Sequence, residues 1–207
     1  MEIENRTLAG TALLSALVVV FDYSMKYSGW KIPFPWLPFL KLDFTGVPIV
    51  LALYLFGFVP SVFTSAVALF AIVARSGDVV SASMKALAEL FTVAGMFSAL
   101  MIIPKFKREA SFLLGIAFRC VAMFFANLLI LPIGLSPLIA VFNVIQGSVS
   151  IFGGYLIYEA VKKRMPSSIQ KNLWDMSAKK RMTSFTWYLS PSFADYFVIL
   201  TAFCTQP

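Results

Sequence analysis

The stretch "LPFLKLDFTGVP", residues 37–48, joins two apolar runs that cover about residues 8–28 and 44–59. It carries prolines, aromatic rings and the charges of Lys41 and Asp43, where a short polar turn would be enough to connect two helices. A helix of about 20 apolar residues is long enough to cross a hydrocarbon core of about 30 Å. We therefore interpret this stretch as a loop at the mouth of a bundle of membrane helices.

The composition of the whole chain is typical of a membrane protein. Of its 207 residues, 59% are hydrophobic and 13% are charged, whereas a soluble domain keeps roughly a quarter of its residues charged. The apolar runs are continuous rather than alternating, which disfavours a transmembrane β-barrel. We predict an all-α, multi-pass protein of the cell membrane.

Hydropathy predicts six transmembrane helices, and glycine or proline marks several of their ends. Lys and Arg are enriched in the loops on the cytoplasmic side, and here they place both termini in the cytoplasm and the loop 29–43 outside. We predict a six-helix domain, residues 1–162, followed by a basic cytoplasmic tail, residues 163–207, that is interfacial or disordered. The predicted helices are residues 8–28, 44–59, 60–75, 82–103, 110–133 and 137–161.

Several function classes are disfavoured by what the sequence contains. The chain has no histidine, so His-ligated metals and His-based catalytic arrangements are excluded. The net charge of +7 gathers at helix ends, where orientation in the membrane explains it without nucleic acid. No GxxxxGK[ST] phosphate loop is present, so this chain is not expected to hydrolyse ATP by that route.

Polar side chains inside the predicted helices are candidate functional residues, because burying them in a bilayer is expensive. Helix geometry places six of them at similar depth in the outer half, and Arg119 alone at the midplane. This distribution predicts a polar cup that opens outward above an apolar floor. Its six members are Asp22, Lys85, Glu89, Asn127, Asn143 and Gln146.

Structural roles for these side chains are open alternatives. Lys85 and Glu89 are spaced i, i+4 and could form an ion pair on one helix face. Arg119 is expected to neutralise Glu89 or Asp22. The buried asparagines could instead join neighbouring helices by hydrogen bonds.

Four motifs resemble the substrate-binding S-components of energy-coupling factor (ECF) vitamin transporters, particularly the riboflavin-specific branch. "TALLSAL" at 11–17 is similar to the first helix of that branch, and "FLKLDFTGVP" at 39–48 is similar to its "LKLDFSDIP" signature. "NLLILP" at 127–132 and "FNVIQG" at 142–147 resemble "NYFVILP" and "FNLIKG" of its fifth and sixth helices. The motifs occur in family order between residues 11 and about 162.

The resemblance implies a ligand site for riboflavin or a related vitamin, as a transported ligand and not a cofactor. Asn127 and Asn143 match residues that contact the flavin, whereas Gln146 stands where the family has Lys, and Lys85 where it has Asn. These two departures leave another vitamin open, and a Lys85–Glu89 pair could suit a carboxylated or zwitterionic ligand. The first loop would be a gate in which rings stack on the ligand, or alternatively an aromatic belt at the headgroups. The predicted site residues in this loop are Trp36, Phe39, Lys41 and Asp43.

The resemblance also implies partners: a transmembrane subunit and two ATPase subunits, which would supply ATP hydrolysis. Ala12 and Ala16 fit the AxxxA pattern that S-components present to that transmembrane subunit, although small residues could also serve packing within the chain. Two other functions are open. One is a membrane enzyme that uses Lys85, Glu89 and Asp22 for acid–base chemistry, and the other is an assembly subunit without a ligand.

Overall fold

A computed structural model describes residues 2–29, 32–103, 106–130 and 136–164. The predicted tail therefore lies outside the described residues, apart from its first two positions. The described residues form six helices and one β-hairpin. They are α1 (Glu2–Tyr27), β1 (Ile32–Phe34), β2 (Leu37–Leu42), α2 (Gly46–Phe56), α3 (Phe58–Ser76), α4 (Val79–Ile102), α5 (Lys107–Leu128) and α6 (Ser136–Lys162).

The prediction of six helices is confirmed, and five of them are long and apolar enough to cross a membrane. The exception is α2, whose 11 residues rise only about 16 Å. The predicted range of 44–59 was too long at both ends. The helix begins after Thr45, and Gly57 ends it with φ of 101°, a backbone conformation that favours glycine. The next helix starts immediately at Phe58.

The short helix α2 forms the centre of the bundle. Every residue from Gly46 to Tyr54 is buried, and the helix packs against α1, α3 and α6. Branched and aromatic side chains fill the space around it, and the ring of Tyr54 lies 5.3 Å from that of Tyr158. A helix that is apolar on all sides must be surrounded by other helices or lipid. Here, neighbouring helices surround it.

A β-hairpin replaces the irregular loop that the sequence suggested. Ile32 pairs with Leu42 and Phe34 pairs with Leu37 in an antiparallel register. Phe34 and Leu37 are buried against Ile139 of α6, and the Phe34 ring meets Phe142 edge-on at 5.5 Å. The hairpin is therefore packed onto the first turns of α6, at the end of the bundle where the predicted polar residues lie.

Candidate functional site

Three buried acids and three bases meet below the hairpin. They come from α1, α3, α4, α5 and the segment that joins the hairpin to α2, so no single stretch of sequence contains the cluster. Their opposite charges are joined in salt bridges. The acids are Asp22, Asp43 and Glu89, and the bases are Arg75, Lys85 and Arg119.

The deepest of these contacts joins Arg119 on α5 to Glu89 on α4. Nη1 of Arg119 lies 2.8 Å from Oε1 of Glu89, and the two side chains are only 3% and 2% exposed. The same guanidinium donates to the Thr92 hydroxyl at 3.2 Å and to Oδ1 of Asn143 at 3.3 Å. The expected neutralisation of Glu89 by Arg119 is confirmed, and the guanidinium also links α4 to α6.

The ion pair considered between Lys85 and Glu89 is not formed, and that interpretation of their spacing was wrong. Lys85 Nζ instead makes a salt bridge with Oδ2 of Asp43, and Asp22 Oδ1 lies 3.7 Å from the same ammonium. Residues at i, i+4 are near neighbours on a helix, but the pairing adds only about 0.2–0.5 kcal/mol. Partners on neighbouring elements compensate a buried charge more completely, so they determine the direction in which each side chain points.

Gln146 on α6 holds the backbone of Asp43. Its Nε2 donates to the Asp43 carbonyl at 2.7 Å, and its Oε1 accepts from the Asp43 N–H at 3.2 Å. Oδ1 of Asp43 also accepts from the hydroxyl and the N–H of Thr45, which fixes the turn into α2. An amide can donate and accept at the same time, whereas a lysine at this position could only donate. In this structure Gln146 is therefore a residue that holds the base of the hairpin.

The two predicted asparagines are buried and lie on α5 and α6. Nδ2 of Asn127 donates to the Met123 carbonyl at 2.6 Å, and Nδ2 of Asn143 donates to the Ile139 carbonyl at 2.9 Å. Both of these bonds return to the residue's own helix. Oδ1 of Asn143 also accepts from Arg119 on α5, so the alternative in which the asparagines join helices is supported for Asn143.

Trp36, one of the predicted aromatic site residues, lies on the surface of the hairpin. The Trp36 side chain is 63% exposed and packs edge-on against Phe34, with 5.3 Å between the ring centroids. Lys41 is exposed on β2, so it does not join the buried cluster. The Phe39 side chain lies outside the described residues.

Sequence reasoning missed Arg75 as a member of the cluster, and it also missed three hydroxyl side chains beside the cluster: Thr45, Thr92 and Ser150. Arg75 is the last residue of the predicted third helix, yet its Nε lies 2.6 Å from Asp22 Oδ2. Ser150 Oγ and Glu89 Oε2 are buried without a hydrogen-bond partner in the described structure, and both lie where a side chain on Gly46 would stand. The sequence signal for this close approach was Gly46, a glycine that follows a polar loop and is the first residue of an apolar helix.

The small residues of α1 face away from the bundle. Ala12 and Ala16 are both exposed, as are Leu13 and Leu17 beside them. Packing within the chain, the alternative considered for these alanines, is therefore not what the structure shows. An exposed apolar surface in a membrane protein faces either lipid or another helix.

Among the described residues, the buried cluster brings three carboxylates together with three cationic side chains, and the formal charges of these six groups cancel. Within the part of the chain that the structure describes, no three Cys, Asp or Glu side chains are grouped as a metal site would require. The arrangement is suited to hydrogen bonding with a polar molecule that carries no net charge.

Comparison with known structures identifies the fold. The S component of a bacterial ECF transporter has the same fold, with a TM-score of 0.69 and 22% sequence identity. The match covers 78% of this chain and 98% of that one. No protein-family model and no curated protein sequence matches the chain. The protein is thus a multi-pass α-helical membrane protein with the fold of an ECF S component.

Proposed function

We propose that this protein is the substrate-capture subunit of an ECF-type importer and that it binds riboflavin or a related vitamin beneath the hairpin. The observation that carries the proposal is the position of the hairpin. Phe34 packs on α6, and the predicted ligand residues Asn143 and Gln146 lie on the same helix, one to two turns farther along. The hairpin therefore covers the end of the bundle at which these buried polar side chains lie.

The charge balance of the cluster favours an uncharged vitamin over a carboxylated one. A carboxylated ligand would need an available cation, yet Lys85 and Arg119 each contact at least one carboxylate. Taking a partner from a buried ion pair leaves the other charge uncompensated, which is strongly unfavourable. Riboflavin offers neutral donors and acceptors on a flat ring system, and such a ligand leaves these ion pairs intact.

The direct test is the absorption spectrum of the protein purified in detergent, followed by titration of ligand-free protein with riboflavin. We expect flavin absorption bands in the purified protein, or quenching of riboflavin fluorescence with a submicromolar Kd. Absence of both, in a protein that elutes as a single folded species, would exclude riboflavin. The same titration with other vitamins would then identify the ligand.

Asn127→Ala and Asn143→Ala are each expected to weaken riboflavin binding about 5- to 150-fold. The loss of one amide leaves polar ligand groups unpaired in a buried site, at a cost of about 1–3 kcal/mol. Fluorescence quenching measures the Kd of each variant.

The matched control for the asparagine variants is Ser148→Ala on α6. Ser148 is half-buried, and its hydroxyl also donates to the carbonyl four residues earlier, Val144, at 2.7 Å. This substitution removes the same kind of bond outside the site, so the Kd should not change. Wild-type riboflavin affinity in both asparagine variants would exclude a ligand site formed by α5 and α6.

The partners and orientation form part of the same proposal. We propose that both termini are cytoplasmic, that the hairpin faces outward, and that a transmembrane subunit contacts α1 at Ala12 and Ala16. Two ATPase subunits would supply ATP hydrolysis, so the chain itself is not an enzyme. Acid–base catalysis by Asp22, Lys85 and Glu89 has less support, because all three side chains are engaged in salt bridges.

A further inference from the structure

The ammonium of Lys85 lies between two carboxylates that belong to different parts of the fold. Asp43 is in the segment between the hairpin and α2, and Asp22 is on α1. Both acids lie within salt-bridge distance of the ammonium, but only one of the two is close enough for a direct hydrogen bond. The contact with Asp43 is a direct hydrogen bond, whereas Asp22 Oδ1 lies 3.7 Å from the nitrogen. Lys85 thus has a near partner beside the hairpin and a second one on a long helix.

Asp22 is fixed from its other side by Arg75 in the last turn of α3. Arg75 Nε lies 2.6 Å from Oδ2, and Arg75 Nη2 donates to Oδ1 at 3.3 Å. The result is a row of alternating charges, Arg75–Asp22–Lys85–Asp43, that runs from α3 through α1 and α4 to the base of the hairpin. The side chain of Asp22 is 1% exposed and that of Lys85 is 22% exposed, so Lys85 is the most solvent-accessible member of this row.

The two acids differ in how freely they can move. Asp22 is built into α1 and is clamped by Arg75, whereas Asp43 belongs to a non-helical connection that is held by Gln146 and Thr45. If the hairpin lifts from α6, Asp43 is the acid that moves with it. Lys85 then keeps Asp22 as a counter-charge, so opening does not leave an unpaired ammonium among buried side chains.

We propose that Lys85 is the positioning residue that sets the opening of the hairpin, with Asp43 favouring the closed state and Asp22 the open state. The competition follows from the charge row alone. Its importance for ligand entry rests on the proposed function, in which the hairpin covers the ligand site. Because the two acids compete for one ammonium, removing the Asp43 carboxylate should shift the hairpin towards the open state, and removing the Asp22 carboxylate should shift it towards the closed state. A purely structural cluster has no reason to behave in this way.

Hairpin opening can be measured without ligand by the distance between two spin labels. Cys120 and Cys204 are replaced by serine, and cysteines are introduced at Pro35→Cys in the hairpin turn and Val79→Cys at the start of α4. Pulsed electron paramagnetic resonance in lipid nanodiscs then gives the fraction of molecules with a long distance. We expect Asp43→Asn to raise this open fraction at least threefold and Asp22→Asn to lower it at least threefold.

Two further variants keep the test decisive. Asp22→Asn leaves Arg75 without its acid, so Asp22→Asn/Arg75→Gln removes both charges and is used if the single variant does not fold. Glu109→Gln is the matched control, because Glu109 is an exposed acid whose 3.6 Å salt bridge with Arg108 lies at the other end of the bundle. It should leave the open fraction unchanged.

Opposite shifts in the two acid variants support the competition. Shifts in the same direction, or no shift in either variant, overturn it. Riboflavin dissociation rates from the same proteins separate this inference from the proposed function. Opposite shifts in a protein that does not bind riboflavin would support the competition between the two acids and exclude riboflavin as the ligand. Riboflavin binding with no shift of the hairpin in either variant would support the proposed ligand and overturn the competition.

Discussion

Arg119→Met is expected to lower the stability of the detergent-solubilised protein by roughly 3–5 kcal/mol, because it leaves the buried carboxylate of Glu89 without its partner. Arg119 also contacts Thr92 and Asn143, so the variant removes a link among three helices. Thermal unfolding followed by circular dichroism or by a thiol-reactive dye measures the loss. The double variant Glu89→Met/Arg119→Met should recover much of it, since neither charge then remains buried and unpaired.

The matched control is Arg108→Met at the start of the same helix. Arg108 forms a salt bridge with Glu109 at 3.6 Å and donates to the Tyr155 hydroxyl at 2.6 Å, but the side chains of Arg108 and Glu109 are more than half exposed. Exposed pairs contribute about 0–1 kcal/mol, so this substitution should lower stability much less than Arg119→Met. Equal destabilisation by Arg119→Met and Arg108→Met would show that the Glu89–Arg119 pair does not hold the bundle together.

Ala16→Trp is expected to abolish assembly with the proposed transmembrane and ATPase subunits and therefore to abolish the proposed vitamin uptake. Ala16 is exposed on α1 in this structure, so the indole ring has space in the isolated protein. At a helix–helix contact between subunits, where small residues allow close approach, the same ring would hold the two helices apart. Co-purification of the subunits measures assembly, and riboflavin binding by the variant alone should match wild type.

Val121→Trp on α5 is the control for a bulky ring on an apolar outer surface. Val121 is 56% exposed and lies on a different helix from the proposed contact. Assembly should therefore be retained. A complex that tolerates Ala16→Trp as well would exclude this face of α1 as the contact surface.

Much of the fold could be predicted from local sequence properties. The number of helices and their order follow from apolar runs whose length matches the bilayer. Gly57 could be recognised as a break because only glycine readily adopts its backbone angles. The shortness of α2 was less predictable, since an apolar run does not show where a buried helix starts within it. The hairpin was missed because its strands contain prolines at positions 33 and 38, and proline weakens strand signals.

For the site, the sequence identified most of the polar residues, but among their partners it anticipated only Arg119, as a counter-charge for either Glu89 or Asp22. It placed Lys85 and Glu89 on one helix and Gln146 on another, which is correct. It could not show that Lys85 contacts Asp22 and Asp43, or that Gln146 holds the Asp43 backbone, because these contacts join residues 42–103 positions apart.

The sequence by itself determined that this is a six-helix membrane protein with polar side chains concentrated near one end. Hydrophobic length and the high energy of burying charge act residue by residue, so they can be interpreted without knowing the neighbours. Only the tertiary structure decided that Glu89 pairs with Arg119 and that Lys85 is shared between α1 and the hairpin. Each pairing depends on how the helices are rotated about their axes and on where the connecting segments cross them. The packing of the whole bundle sets those rotations, and buried charges then pair with whichever opposite charge that packing brings within reach.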